Sequence, residues 1–170
     1  MNRNHVDTPP IHTISAYVAN KPGVLARIAL IFARRGYNID SLVVSAGRDG
    51  RYSRMTITAS GDPGGLDQII KQMNKLVDII HCTDHTGENT VIREMALIKV
   101  GITAAERSEA FQIAEHFGAK SLDLTEKSAI FMVTGASSKL DAFINMLAKF
   151  EIIELVRTGK VVMARGEQET

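Results

Sequence analysis

Apolar and polar residues alternate in short segments along the first half of the chain, and between these segments apolar residues recur at helical spacing. Residues 12–18, for example, place Ile14, Ala16 and Val18 on one face, which predicts a strand. The predicted elements of this half are strand 12–18, helix 23–35, strands 39–46 and 53–59, a helix that begins at Pro63 with Asp62 as its cap, and strand 77–82. In helix 23–35 the apolar residues at helical spacing, which predict its buried stripe, are Val24, Leu25, Ile28, Ile31 and Phe32. Their order is βαββαβ.

The same order of elements recurs after a polar connection. The predicted elements of the second half are strand 94–101, a helix opened by the capping box Thr103–Glu106, strands 120–125 and 129–135, a helix opened at Ser138, strand 152–156 and a short edge strand 161–164. We therefore predict an α+β fold of two tandem ferredoxin-like βαββαβ sandwiches. The predicted boundaries are a disordered tail over 1–10, a first domain over 11–86, a linker over 87–92 and a second domain over 93–166.

Composition and charge narrow the class of partner. The chain has 20 Lys and Arg against 19 Asp and Glu, and its formal net charge is +1. Nucleic-acid and membrane-surface binding rely on a clustered excess of Lys and Arg, so neither partner is expected. No apolar run approaches the roughly 18 residues of a membrane span. The single cysteine, Cys82, excludes an intrachain disulfide, so we expect a soluble, cytoplasmic protein.

Residues that could support catalysis or bind a metal form no recognisable constellation in the sequence. The run from His81 to His85 resembles a metal cluster, but in a strand the two histidines face away from Cys82 and Asp84. The sequence contains no nucleophile elbow, P-loop or dinucleotide fingerprint, and we interpret Gly61–Gly65 as a helix-entry turn. A small enzyme on this scaffold is the least favoured interpretation.

The loop Asn20-Lys-Pro-Gly23, between the first strand and the first helix, is the clearest candidate binding site. Proline restricts the turn, glycine permits close approach, and the free N–H groups of the following helix attract a carboxylate. Asn38 precedes the second strand, which we expect to run beside the first, and its amide can contact an ammonium or a carboxylate group. On spacing alone, a helix cap at Asn20 and a turn residue at Asn38 are equally good interpretations.

Four longer runs carry a family resemblance. They are Val-Ala-Asn-Lys-Pro-Gly-Val-Leu (18–25), Phe-Ala-Arg-Arg-Gly-Tyr-Asn-Ile (32–39), Arg-Glu-Met-Ala-Leu-Ile-Lys-Val (93–100) and Gly-Ala-Ser-Ser-Lys-Leu-Asp-Ala-Phe (135–143). They resemble the small regulatory subunit of acetolactate synthase, also called acetohydroxyacid synthase. The resemblance extends from Ile11 to Arg165.

The resemblance implies that the first domain is an ACT domain, which pairs with a second copy so that the two sheets join. A feedback amino acid, usually valine, would bind at that interface. The implied effector-binding residues are Asn20, Lys21, Pro22, Gly23, Val24 and Leu25 of one chain, with Asn38 and Ile39 of the paired chain. Many members of the family carry an acidic residue where this chain has Ala19.

The resemblance also implies a non-catalytic protein. It would bind the large catalytic subunit, raise its activity and make it inhibitable by valine, isoleucine or leucine. Thiamine diphosphate, Mg and FAD would belong to that partner, and this chain would hold no cofactor. Arg34 and Arg35 are candidate contacts with the large subunit, although the helix dipole alone also accounts for them. A stand-alone ACT-type sensor that controls another enzyme or a transcription factor is the alternative.

The size of each predicted domain indicates self-association. A domain of about 75 residues buries only about 60% of its unfolded surface, and a sheet with helices on one face leaves its other face open. We expect this open face to be apolar and to be covered by pairing, sheet to sheet or edge to edge, so we expect a homodimer at least. Size-exclusion chromatography with light scattering should give a mass well above the 18.6 kDa of one chain. A monomer at micromolar concentration would contradict this prediction.

Overall fold

The chain folds into two compact units. The structure, a computed structural model, describes residues 10–87 and 89–170. One unit comprises the described residues up to Val91 together with Val162–Thr170, and the other comprises Ile92–Val161. Except for Pro10, the predicted tail lies outside the described residues. Within these residues, no helix has the length and apolar character needed to cross a membrane.

The first unit contains a four-stranded antiparallel sheet and two helices. Its elements are β1 (Ile11–Ala19), α1 (Val24–Arg34), β2 (Ile39–Ala46), β3 (Tyr52–Ser60), α2 (Pro63–Met73) and β4 (Ile79–Asp84). The strand order is β2-β3-β1-β4, so the predicted βαββαβ unit is confirmed. The expectation that the second strand runs beside the first is wrong, because β3 occupies the gap that the crossover through α1 leaves between them.

The core of the first unit lies between the sheet and its helices. Ile14 of β1 pairs with Ile57 of β3, and both side chains are completely buried. The first helix contributes Val24, Ile28 and Phe32 to the same cluster, at the helical spacing read from the sequence. Alternation in the strands and helical spacing in α1 therefore converge on one apolar layer.

The opposite face of this sheet is polar. Thr13 pairs with Thr58 and Ser15 with Thr56 on the face away from the core, and these side chains are only 3–8% exposed. The oxygen Oγ of Ser15 lies 2.7 Å from Nε2 of His85. The expectation of an open apolar face is therefore wrong for this unit, because the strands place hydroxyl side chains at the alternate positions.

The second unit repeats the order of elements. They are β5 (Thr90–Gly101), α3 (Arg107–His116), β6 (Lys120–Leu124), β7 (Ser128–Gly135), α4 (Ser137–Leu147) and β8 (Glu151–Arg157). β9 (Val161–Ala164) follows them along the chain, and its last three residues belong to the first unit. The strand order is β6-β7-β5-β8, and β9 also pairs with β5. The first strand begins at Thr90 rather than at Glu94, within the segment predicted as a linker.

The two faces of the second sheet also differ. Ile98 pairs with Phe131, and both are completely buried in the second core. On the other face, Leu97 pairs with Val156, which is 51% exposed. In contrast to the first unit, the second unit presents apolar side chains on its open face.

An ion pair between buried Glu94 and partly exposed Arg157 joins β5 to β8 in the second unit. The guanidinium Nη2 of Arg157 lies 2.7 Å from Oε2 of Glu94, and its Nη1 lies 2.6 Å from Oδ1 of Asp141. Ser137 donates to the other carboxylate oxygen of Glu94, which is 6% exposed. Loss of Arg157 would leave the buried carboxylate of Glu94 without its cation, so this contact stabilises the unit.

Two glycines of the Gly61–Gly65 run make room for the ring of Tyr37. A Cβ atom at Gly61 would lie 2.0 Å from Cε1 of Tyr37, and one at Gly65 would lie 1.9 Å from its Oη. A Cβ atom at Gly64 would meet only Oδ2 of Asp62, at 3.4 Å. The same carboxylate accepts from the Gly65 N–H at 2.7 Å, which confirms the helix cap predicted at Asp62.

Gly65→Ala should therefore destabilise the protein, whereas Gly64→Ala should not. Overpacking against Tyr37 should lower the free energy of unfolding by about 1–3 kcal/mol. The better helix propensity of alanine should leave Gly64→Ala unchanged or raise its stability by up to about 1 kcal/mol. Urea denaturation followed by circular dichroism measures both variants, and a Tyr37→Leu background should remove most of the difference. Equal stability of the two alanine variants would contradict the packing role.

Candidate functional site

The loop between β1 and α1 is fixed to the turn between β2 and β3. Asn20 donates its main-chain N–H to the carbonyl of Arg51 at 2.8 Å and its Nδ2 to the carbonyl of Gly50 at 2.9 Å. The residue that precedes the helix as its N-cap is Gly23, and it makes no side-chain cap. The interpretation of Asn20 as a helix cap is therefore wrong, because its amide reaches across to the neighbouring turn.

The first turn of α1 presents free N–H groups. Gly23 has φ +85°, a left-handed conformation that favours glycine, and its carbonyl accepts from the N–H of Arg27. The N–H groups of Leu25 and Ala26 have no acceptor among the residues that the structure describes. Because these donors lie at the positive end of the helix dipole, the loop can bind a carboxylate there.

Side chains at the start of α1 point in two directions. Val24 is 2% exposed and packs in the core, so an external ligand can reach only its main chain. Leu25 is 41% exposed and is the apolar side chain that the loop offers to a ligand. Lys21 and Pro22 are also exposed. The spacing of apolar residues in the sequence predicted that Leu25 is buried with Val24. This prediction is wrong, because the buried face of α1 includes Val24, Ile28 and Phe32 but not Leu25.

Asn38 and Ile39 lie at the other end of the same sheet. Ile39 and His12 both pair with Ala59, so the start of β2 is level with the start of β1. Asn20, by contrast, follows the end of β1, eight residues beyond His12. At about 3.3 Å per residue, this separation is about 26 Å. One small ligand cannot contact Asn20 and Asn38 of the same chain.

The side chain of Asn38 is exposed, and its amide is within reach of a ligand. Its Nδ2 lies 3.3 Å from Oδ1 of Asp40, a weak contact by hydrogen-bond criteria. The other oxygen of Asp40 accepts from Ser60 on β3, so the position of this carboxylate depends on the neighbouring strand. Asn38 can therefore turn to a new partner with little loss.

Arg34 and Arg35 line an open cleft between α1 and α2. The cleft has a volume of about 760 Å³, and Ile31, Tyr37 and Gln72 also line it. Arg35 donates from Nε to Oε1 of Gln72 at 3.1 Å. Within the described part of the chain, Arg34 forms no hydrogen bond or ion pair, so its charge is available to an external partner.

Tyr37 and Asp62 line one side of that cleft and are hydrogen-bonded to each other. Oη of Tyr37 donates to Oδ1 of Asp62 at 2.6 Å. This hydrogen bond raises the pKa of the phenol and is the main reason that the pKa of Asp62 lies below its ordinary value. Sequence reasoning did not find this pair, because the two residues lie 25 positions apart and no local pattern connects them.

The run His81–His85 divides between the two faces of the sheet, as predicted. Cys82 pairs with Ala16 on the core face, whereas His81 pairs with Tyr17 on the polar face. His85 lies on the polar face as well, where it contacts Ser15. In residues 10–87 and 89–170, no three His, Cys, Asp or Glu side chains are grouped so that they could hold a metal ion.

Two family models cover both units of the chain. The model described as "AHAS small subunit-like ACT domain" matches residues 14–81, and "Small subunit of acetolactate synthase" matches residues 93–166. The first match contains the Asn20 loop, Arg34, Arg35 and Asn38. The second spans most of the second unit, including the Glu94–Arg157 ion pair.

Named relatives are similar to the chain over nearly its whole length. A probable acetolactate synthase small subunit of Archaeoglobus fulgidus is 44% identical over 158 residues, which are 93% of this chain and 99% of that protein. The acetolactate synthase small subunit of Mycobacterium bovis is 42% identical over 159 residues, 94% of this chain and 95% of that protein. The crystal structure of the Thermotoga maritima small subunit is 42% identical, covers 94% of this chain and 99% of its own, and superposes with a TM-score of 0.83.

Cys82 should be chemically inert in the folded protein. Its side chain is 5% exposed, and burial raises the pKa of the thiol to about 12. Since the thiolate is the reactive form, iodoacetamide at pH 8 should label the native protein at least about a hundredfold more slowly than the urea-unfolded protein. Mass spectrometry of the labelled chain measures both rates. Comparable labelling rates of the native and unfolded protein would contradict this prediction and would show that β4 separates readily from the sheet.

Proposed function

The chain belongs to the acetolactate synthase small-subunit family, and we propose that it serves as the regulatory subunit of such an enzyme. It binds the catalytic large subunit, raises the activity of that subunit, and makes it inhibitable by a branched-chain amino acid, with valine as the first candidate. It does no chemistry itself. Thiamine diphosphate, Mg and FAD reside in the large subunit, and the complex works in the cytoplasm.

The observation that carries this proposal is the position of Asn20 and Asn38 at opposite ends of one sheet. An effector pocket that uses both residues must be built from two chains. A ligand at such a pocket contacts both chains at once and therefore favours one packing of the dimer over another. A difference of about 1–3 kcal/mol in affinity for the two packings is typical of allosteric control.

Pairing of two β2 strands at their outer edges brings the two halves of the pocket together. β2 is an outer strand of the first sheet. When two such strands pair antiparallel about a two-fold axis, the start of one meets the end of the other. The end of β2 leads into the turn that contains Gly50, to which Asn20 is bonded. Asn38 of one chain thus lies beside the Asn20 loop of its partner.

The groups in this pocket suit a small aliphatic amino acid. The free N–H groups of Leu25 and Ala26 receive the carboxylate. The ammonium group contacts amide oxygens, from Asn20 of one chain and Asn38 of the other, because Ala19 provides no acidic side chain. The exposed side chain of Leu25 packs against the branched end of the ligand.

The cleft that contains Arg34 and Arg35 is the proposed contact with the large subunit. Two guanidinium groups beside Ile31 can bind a carboxylate and an apolar side chain of a partner in one place. The match of residues 93–166 to the small-subunit model supports a dedicated partner over the stand-alone sensor, which would need only the first unit.

Variants in either half of the pocket should separate activation from inhibition. Asn38→Ala or Gly23→Ala should leave a complex that is still activated but needs at least about tenfold more valine for half-inhibition, because each variant removes a polar contact or distorts the loop. Asn145→Ala, an exposed asparagine on α4, serves as the control and should behave as wild type. Activity assays with the large subunit, together with valine titration calorimetry, measure both properties.

Mixing two defective variants tests whether the pocket is shared. A dimer of one Asn20→Ala chain and one Asn38→Ala chain carries both lesions in one pocket and none in the other. Mixed dimers should therefore recover one high-affinity valine site, which neither homodimer has. Full valine sensitivity of the single variants, or no recovery on mixing, would reject this site.

A further inference from the structure

Three side chains form a row across the polar face of the first sheet. In the strand register, Tyr17 of β1 lies opposite Arg54 of β3 on one side and His81 of β4 on the other. The Arg54 guanidinium lies 5.3 Å from the centre of the Tyr17 ring, and the His81 ring centre lies 5.8 Å from it. Both Arg54 and His81 thus pack against the Tyr17 ring, which positions their N–H donors on the same face of the sheet.

A single oxygen atom accepts a hydrogen bond from each of the two donors in this row. The main-chain oxygen of Thr170 accepts from Nη1 of Arg54 at 2.6 Å and from Nε2 of His81 at 3.0 Å. Thr170 is only 7% exposed, whereas residues 165–169 are all exposed. The segment therefore touches the sheet at its last residue and is otherwise in solvent.

The path of this segment brings Thr170 back towards β9. Gly166 has φ +72°, which reverses the chain, and Oγ1 of Thr170 accepts from the N–H of Ala164 at 2.8 Å. Within the described part of the chain, residues 165–169 form no hydrogen bond or ion pair. Three hydrogen bonds at Thr170 therefore hold the whole segment in place.

We propose that the row Arg54–Tyr17–His81 is a docking site for residues 165–170 of the same chain, and that these residues act as a releasable strap. Docking satisfies both donors and covers this part of the polar face. Release requires the loss of only one anchoring residue, so it occurs without unfolding of the sheet. Once released, the row presents an arginine and a histidine to any other carbonyl or carboxylate. The proposal does not depend on the effector site, because its test measures the strap directly.

Trypsin cleavage after Arg165 reports on release of the strap. A protease needs an extended segment, and its rate follows the population of the open form. Arg54→Ala should raise the cleavage rate at this bond about tenfold, since it removes a hydrogen bond from a charged donor. His81→Phe keeps a ring beside Tyr17 but removes the second donor, and should raise the rate about threefold. Arg48→Ala, in an exposed turn where Arg48 has no hydrogen bond or ion pair to any described residue, is the matched control and should leave the rate unchanged.

A further variant distinguishes release of the strap from destabilisation of the sheet. Thr170→Ala removes the hydroxyl that bonds to Ala164 without changing any strand, and should raise cleavage after Arg165 about fivefold. Cleavage at other Lys and Arg residues, and the unfolding midpoint, should remain as in the wild type for this variant. Equal cleavage after Arg165 in the wild type, Arg54→Ala and Thr170→Ala would overturn the proposal.

Discussion

The parallel course of β1 and β2, with β3 between them, fixes how far apart the two candidate effector-binding segments lie. It places the end of β1, with Asn20, and the start of β2, with Asn38, at opposite ends of one sheet. Both residues have exposed amides, yet one chain cannot bring them to one small molecule. A pocket that uses both asparagines, as proposed above, therefore requires a dimer, and in that proposal the effector binds at the subunit interface.

The two units share an order of elements but differ in the surfaces that their sheets leave uncovered. Hydroxyl side chains such as Thr13 and Ser15 line the first sheet, and polar groups of the same unit lie on them. The second sheet presents Leu97 and the half-exposed Val156 instead. The hydroxyl groups of a polar face can form hydrogen bonds with other groups of the same chain. Burial of an apolar face is favourable only when another surface covers it and excludes water. The two units are thus suited to different contacts.

Features that depend on neighbours in sequence were predictable. The cap at Asp62 follows from residues three positions apart and occurs in the structure. Glu106 also accepts from the N–H of Thr103, but α3 begins only at Arg107 with Glu106 as its N-cap, so the predicted opening of this helix by a capping box is wrong. Features that join distant residues were not predictable. Arg54 and Thr170 lie 116 positions apart, and Glu94 and Arg157 lie 63 apart, so no local pattern connects them. The same reason explains why Tyr37 was missed as the group that the glycines of the 61–65 run accommodate.

The sequence by itself determined the helices and strands and their repeated order, because periodicity, caps and turns act over a few residues. Its placement of Leu25 inside the core failed, since the width of a buried stripe depends on what packs against the helix. Only the tertiary structure decided that β3 separates β1 from β2, that Asn38 lies far from Asn20, and that the first sheet has a polar face. Strand order and burial are set by pairing between distant segments, and that pairing is a property of the whole fold.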